Sequence, residues 1–443
     1  MKLTKDIPLY SARSQDVRLM AEDYLTFVQK LYQHFPNPDL VCVRIGNHRE
    51  YYVFDPAFMR EVLVERPVDF PRHQESIMPL KKLMGASLMN LEDNVWRKRR
   101  LTLSPIFSPK AALSDGERGR IGAADRIAAL IKESHDAEES MTRMSMRMMF
   151  QITFSINDDR YLDLACNAIR QLSANGTEDK LIGRVPDEQL SARKTIAKSE
   201  LVAIVDSLIA ARNNQSPTDD VLGRLLSATD DAGNLLNINE VRDECLAIFI
   251  AGHITTASSL TWWSIYLGKN PEAQQRASQE VRNWRRTHPD DPITAAALPY
   301  VVATIKEAMR LRPAAGVLLS RVAASDTSIG PYQVPQGGIL RLLPAVLHLD
   351  PRWFPEPELF RPERFLDNEE TPRGAYIPYG NGPRICIGLH LANIELLCMA
   401  TQLLEHTEWT LMEPEASVGH KICFALLPGN LVPLSFKIVA PEI

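Results

Sequence analysis

The chain has 443 residues, of which 45% are hydrophobic and 24% charged, the proportions of a globular protein and not of a disordered or fibrous one. A formal net charge of −5 lacks the basic excess that binding a phosphate backbone requires, so nucleic acid is set aside as a partner. Six cysteines (Cys42, Cys166, Cys245, Cys386, Cys398, Cys423) are scattered without CxxC or other metal-cluster spacing, which argues against a disulfide framework and leaves room for a single functional thiolate.

The N-terminal stretch MKLTKDIPLYSARSQDVRLMAEDYL mixes charges with isolated apolar residues. It holds no apolar run long enough for a signal peptide or a membrane span, so a cytoplasmic chain without a membrane anchor is expected. Residues 40–64 alternate around Gly46-Asn47 and predict a hairpin followed by a helix, hence a small sheet near the N-terminus. The run Trp96-Arg97-Lys98-Arg99-Arg100, with Lys81 and Lys82 nearby in sequence, reads either as a solvated helix face or as a basic face for an acidic protein. Trp96 and Arg100 are spaced i, i+4 and share one side of that helix.

From about 116 to 285 the pattern is mostly helical, broken by polar loops at 174–188 and 212–220. The segment AIFIAGHITTASSL, 247–260, lies inside a helix that starts near Ile238 and continues through Trp262 and Trp263. Ala247, Ala251 and Thr255 fall at i, i+4, i+8, a line of small groups ending in a hydroxyl against which something bulky can lie. Gly252 in mid-helix costs about 1 kcal/mol relative to alanine. It marks close approach of a ligand, a local opening of the helix, or tight helix–helix packing.

Glu307 and Arg310, in KEAMRLRP, also share a helix face; alone they read as a surface ion pair worth about 0.3 kcal/mol. After 313 the chain turns to short strands and proline-rich coil, GPYQVPQGG at 330–338 and HLDPRWFPEPELFRPERF at 348–365. The coil is too long for an ordinary connection and is expected to pack on a site of its own. A last apolar helix, roughly 388–405, precedes a β-like tail. No linker separates these parts, so residues 1–443 are expected to form one large domain, mainly α with a small β region. Just before the last helix, in YIPYGNGPRICIGLHLANIE (376–395), Gly380, Gly382 and Gly388 surround Cys386. They describe a tight turn that delivers a thiol to the mouth of a helix, where the helix N-terminus favours a thiolate able to ligate iron.

Gly380, Gly382, Arg384, Cys386 and Gly388 together resemble the cysteine-ligand loop of the cytochrome P-450 superfamily, a highly specific motif. Tyr379 departs from it, adding a hydroxyl to the phenylalanine usual there, near the sulfur or the surface. The resemblance implies the family's fold, with haem b between the mid-chain long helix and the cysteine-ligand loop and with Cys386 on the iron. It implies that Glu307 and Arg310 are the Glu-x-x-Arg helix, joined by Arg364 of PERF in a buried scaffold. Trp96, Arg100, Arg321 and Arg384 become partners of the haem propionates, and Ala251 a haem contact. On the mid-chain helix the family pattern is Ala-Gly-x-acid-Thr, and here Ile254 stands in the place of the acid. Isoleucine carries no proton and orders no water. His253 is no substitute, because one helical residue turns the side chain by about 100°. Three routes are then open: waters held by Thr255 or Thr256, a polar group of the substrate that completes the relay, or chemistry that needs less proton delivery; the second is the expectation here.

A soluble, bacterial-type monooxygenase follows from the same resemblance. It hydroxylates or epoxidises a lipophilic natural product, terpenoid or fatty acid with O2. Electrons come from a separate ferredoxin or flavodoxin with its reductase, since no flavin or iron–sulfur segment is appended. Substrate contacts are implied for 71–92 with Met78, Met84 and Met89, for 244–256 with Ala247 and Ile254, and for 314–318 with Ala315 and Val317. Two other readings compete. Ile254 encourages a peroxide-using enzyme or an isomerase/dehydratase; a non-catalytic haem sensor or carrier would not need the small-residue line that ends in Thr255.

Overall fold

Apolar alternation in LVCVRI and HREYYV folds them as a hairpin, β2 (Leu40–Ile45) against β3 (His48–Val53), after a short β1 (Leu9–Ser11). Gly46 makes the turn at φ 58°, a conformation that glycine enters without a Cβ penalty. The computed structural model describes residues 6–119, 136–157, 159–173, 188–212, 218–289, 291–366, 371–413 and 417–439. The loop expected at 174–188 lies almost wholly outside them, as does the middle of that at 212–220.

The hairpin does not stand alone. β3 pairs in parallel with β7 (Ile339–Leu342), which pairs antiparallel with β4 (Arg321–Val322), giving one sheet of order β1-β2-β3-β7-β4. The N-terminal sheet and the strands beyond 313 are therefore one structure, and it carries Arg321 at its edge. Small pairs complete the β part: β5 (Thr327–Ile329) with β6 (Tyr332–Val334), β8 (Thr407–Leu411) with β11 (Leu434–Ile438), and β9 (His420–Ile422) with β10 (Leu426–Pro428).

Helices make up the bulk. Those that position the site are α1 (Gln74–Met84), α2 (Asp93–Leu103), α3 (Ala137–Phe154), α4 (Glu188–Arg212), α5 (Ile238–Ala247), α6 (His253–Lys269), α7 (Pro299–Leu311) and α8 (Leu389–His406). α5 opens on a capping box: the Asn237 side chain accepts from Glu240 N–H at 3.1 Å, and Glu240 accepts in return from Asn237 N–H at 2.9 Å. α5 and α6 are one continuous helix joined by a π-helical run at Ile248–Gly252. By length and composition this helix is apolar enough to cross a membrane, yet 78% of its apolar window is buried inside the protein, which makes it the core helix. Its two adjacent indoles are tied to different elements: Trp262 Nε1 donates to Leu426 O of β10 at 2.8 Å and Trp263 Nε1 to Thr304 Oγ1 of α7 at 2.9 Å.

Gly252 belongs to the π run, so the helix does open there. The tight-packing reading also holds, since a Cβ at Gly252 would sit 2.7 Å from the Met149 methyl of α3. The π run also alters the expected line of small residues. In a straight α-helix, Thr255 lies about 80° past two full turns from Ala247. Under-winding in the π run takes up part of that angle.

Candidate active site

Two glycines shape the loop before α8. Gly380 has φ +71° and Gly382 φ +76°, and a Cβ on Gly382 would lie 1.9 Å from the Leu63 carbonyl oxygen. The loop closes through Cys386 N–H to Tyr379 O at 3.0 Å and Ile385 N–H to Gly382 O at 3.0 Å. Of the six cysteines, only Cys386 is exposed. It nevertheless lies deep: burial raises its thiol, opposed by the Gly388 N–H and by the Arg100 guanidinium. An accessible sulfur in deep surroundings faces an internal recess. The Tyr379 hydroxyl donates to Asn393 Oδ1 of α8 at 2.7 Å, and burial, then the field of Cys386, raises it.

Between Glu244 and Ile265 of the core helix the residues that are not fully buried are Ile248, Ala251, Gly252 and Thr255, spaced i, i+3, i+4, i+7. They form one stripe of mostly small groups. The Thr255 hydroxyl donates to Ala251 O at 2.6 Å, so its proton is committed and its lone pairs remain as acceptors. Thr256 is 2% exposed and faces elsewhere, donating to Glu395 Oε2 of α8 at 3.3 Å. Burial pushes Glu395 up to about 8, and its Oε1 has no partner. The two threonines, alternatives for holding the relay waters, thus face different surroundings. His253 is buried beside Ser145, its Nδ1 3.3 Å from Ser145 Oγ, and burial lowers it to about 3.

Three arginines from distant parts of the chain converge on Glu92. Arg72 Nε donates to Glu92 Oε1 at 2.6 Å and Arg384 to Glu92 Oε2 at 3.1 Å. Arg321, bridged to Arg72 through the backbone, donates to Leu319 O at 2.7 Å. Burial, then repulsion from Arg72, lowers Arg321 to about 10; the same causes, with Arg321 added, lower Arg384 to about 10. Asp93 adds only a weaker negative field at Arg384. Against one close carboxylate the cluster carries an excess of two positive charges, which suits a ligand bearing two carboxylates. Trp96 lies under Arg384, guanidinium to ring 3.9 Å. Arg100, next along that face of α2, is coupled to Cys386.

Arg99 departs from the expected basic face. It is 8% exposed and pairs with Glu244 at 2.7 Å and with Glu240, so only Arg97 and Lys98 of that run are exposed. Lys81 and Lys82 stand apart on α1, where Lys198 of α4 donates to Lys82 O.

Glu307 and Arg310 are fully buried, not a surface pair: Arg310 donates to Glu307 at 2.8 and 2.9 Å, and Arg364 joins at 3.1 Å. The same arginines hold the proline-rich coil by its carbonyls, Arg310 taking His348 O and Pro357 O at 2.8 Å each. That is where the long connection packs.

The expected substrate residues are brought together only in part. Ala247 and Ile254 are buried in the main helical core, against which Met89, Trp96, Leu319 and Ile387 also pack. Ala315 is half-buried. Val317 packs instead on the N-terminal cluster around Phe27 and Tyr52, whereas Leu319 packs on the main helical core. Met84 is core, and Met78 is 51% exposed at the surface. Arg72 and Glu92 were not foreseen; an acidic residue before α2 is an ordinary helix-start signal, and nothing in the sequence around Arg72 marks it.

The sequence matches the family model for cytochrome P450 over residues 20–429. It is similar to a cyclooctat-9-en-7-ol 5-monooxygenase of Streptomyces melanosporofaciens, 31% identical over 386 residues that cover 84% of this chain and 82% of the relative. It is also similar to a carnosic acid synthase of Salvia pomifera, 28% identical over 432 residues (89% and 86%). A cyclooctatin synthase of Streptomyces melanosporofaciens is 28% identical over 387 residues (84% and 82%).

Proposed function

This chain belongs to the cytochrome P450 family and is a monooxygenase with haem b as cofactor, and we propose that it hydroxylates or epoxidises a lipophilic terpenoid that carries a hydroxyl group. The observation that carries the reading is the exposed Cys386 in deep surroundings, with a half-buried stripe of mostly small residues on the core helix packed against α8. Haem, when bound, supplies the activation of O2 and the insertion of one oxygen atom into a C–H or C=C bond.

Cys386 is our candidate for the iron's thiolate, its anion favoured by the Gly388 N–H and the Arg100 guanidinium. Arg72, Arg321 and Arg384 are assigned to the two propionates, with Trp96 fixing the plane of Arg384. Ala251 and Gly252 leave room for a flat ligand. Ala247, Ile254, Ala315 and Leu319 supply apolar wall. The Thr255 hydroxyl, already donating to Ala251 O, is set to accept a hydrogen bond; a substrate hydroxyl would donate it and bring to the oxygen side the exchangeable proton that Ile254 cannot. The name of one relative, which acts on an alcohol with a ring double bond, supports that substrate class. Residues 1–443 are read as one domain, acting in the cytoplasm. A ferredoxin or flavodoxin with its reductase would deliver electrons, met by Arg97 and Lys98.

The test is optical. Haem-loaded protein reduced under carbon monoxide should show the red-shifted band of a thiolate ligand, and a terpenoid alcohol should shift the spin state more than its deoxygenated hydrocarbon or a fatty acid does. An imidazole-type band sinks the assignment of Cys386, and equal response to alcohol and hydrocarbon sinks the substrate class. Ile254 favours one alternative, a peroxide-driven reaction. Turnover with hydrogen peroxide that outpaces turnover with a ferredoxin pair would establish it.

A further inference from the structure

The segment 85–91, between α1 and α2, is clamped by charged side chains from two directions. From α5, carboxylates take its N–H groups: Asp243 Oδ2 accepts from Ala86 N–H at 2.6 Å, and Glu244 accepts from Leu88 N–H at 3.0 and 3.2 Å. From the other side, guanidinium groups take its carbonyls: Arg72 donates to Met89 O and Leu91 O at 2.7 Å each, and Arg384 to Leu91 O at 2.8 Å. Asn90 Nδ2 closes the segment on itself through Gly85 O at 2.8 Å.

The backbone is shaped for the α5 contact. Gly85 has φ +65°, and a Cβ there would lie 2.2 Å from the Asp243 carboxylate, so any larger residue displaces it. Glu244 is 2% exposed and spends its oxygens on the loop amide and on Arg99, itself 8% exposed. Burial raises Glu244 to about 7 against the pull of Arg99. A carboxylate so buried is tolerated only with its bonds made, so the loop amide is part of what keeps it there. Two loop neighbours face inward: Leu88 is core, and Met89 is half-buried against the cluster that holds Ala247 and Ile254. Glu244 and Asp243 stand one turn before Ala247 on the same helix. One rigid element thus bears the small-residue stripe and also sets how far the loop stands from it.

We propose that Asp243 and Glu244 are positioning residues that hold segment 86–89 as a wall of the substrate chamber, and so set ligand affinity and size selectivity without touching the ligand. The proposal rests on the reading of the chamber given above.

The experiment uses the haem-loaded full chain with Asp243→Ala, Glu244→Gln and Gly85→Ala. Glu240→Gln is the control, because Glu240 also pairs with Arg99 but takes no loop amide. Hydrogen exchange is read on peptides covering 85–91, and binding is read optically with 4-phenylimidazole and with a bulky triaryl imidazole, whose ring nitrogens ligate haem iron. In the three loop variants the segment should exchange at least tenfold faster while α6 stays protected. The Kd for 4-phenylimidazole should rise at least fivefold, with a smaller change for the bulky ligand; Glu240→Gln should move neither. Unchanged exchange overturns the clamp. Faster exchange with an unchanged ratio of the two Kd values overturns the role in selectivity. A thiolate-type carbon monoxide band in every variant confines either failure to this proposal, whereas its absence from the unmodified protein removes the chamber reading as well. Should Glu244→Gln fail to load haem, Asp243→Ala and Gly85→Ala, both in the half-exposed part of the contact, decide the matter.

Discussion

Replacing Glu307 by glutamine changes one oxygen to an NH2 group and removes one charge from the most enclosed ionic site near the candidate active centre. The carboxylate accepts four hydrogen bonds: from Arg310 Nε at 2.8 Å, from the Arg310 terminal nitrogen at 2.9 Å, from Arg361 N–H at 2.9 Å and from Arg364 Nε at 3.1 Å. Glutamine sets a donor against the Arg310 Nε–H and leaves two guanidinium charges facing a neutral group, at residues 0% and 4% exposed. Breaking a buried pair in this way costs about 3–5 kcal/mol. For a chain of 443 residues the unfolding entropy is about 0.9 kcal/mol per kelvin, so Tm should fall by about 3–5 K. Scanning calorimetry of the haem-loaded protein at one fixed scan rate measures it. The comparison is Arg18→Gln, which breaks an equally short pair, Arg18–Glu22 at 2.8 Å, whose side chains are 78% and 48% exposed. That change should move Tm by less than about 1 K, because solvent screens an exposed pair and its two long side chains lose entropy in forming it. Equal shifts from the two variants would refute the argument that enclosure, and not ion-pair distance, decides the worth of the Glu307 network.

Glu395 makes stability depend on pH. Its native value near 8 lies above the ordinary carboxylate value of 4.5, so the folded state holds the proton longer than the unfolded one; the contribution to stability is full below about pH 4.5 and is lost as pH rises to about 8. Glu395→Gln should therefore gain Tm over the unmodified protein progressively from pH 5 to 8.5, by about 4 K at the upper end, and parallel curves would contradict the burial argument. Ile254→Glu should raise product formed per electron consumed, most for a substrate stripped of its hydroxyl; an unchanged ratio would show that proton supply does not depend on this position. Charge reversal at Arg97 or Lys98 should slow reduction by a ferredoxin and flatten its salt dependence, whereas reversal at the exposed Arg18 should do neither.

What could be read without a fold was what neighbouring residues decide. The hairpin at 40–53 needs only alternation and a glycine, the last helix only its apolar run, and Glu307 with Arg310 only a shared helix face. The loop around Cys386 was legible for the same reason: Gly380, Gly382 and Cys386 sit within one turn of chain, and local backbone sterics place the thiol. Other features depend on which surfaces close over which charges. Arg72, Arg321 and Arg384 gather on Glu92 because the β3–β7 pairing and the start of α2 bring three distant segments together. Arg99 leaves a basic run for a buried pair with Glu244, Val317 turns to the N-terminal cluster, and Thr256 to Glu395, each decided by the neighbour that packing supplies. The sequence by itself determined the glycine turn around Cys386 and the shared helix face of Glu307 and Arg310, since short-range sterics and helix period suffice for both; the burial of that pair with Arg364 is a product of tertiary packing. Only the tertiary structure decided which cations gather around Glu92, how the core helix is wound past Gly252, and what holds the loop at 85–91, because desolvation and charge pairing act between residues that the chain itself keeps far apart.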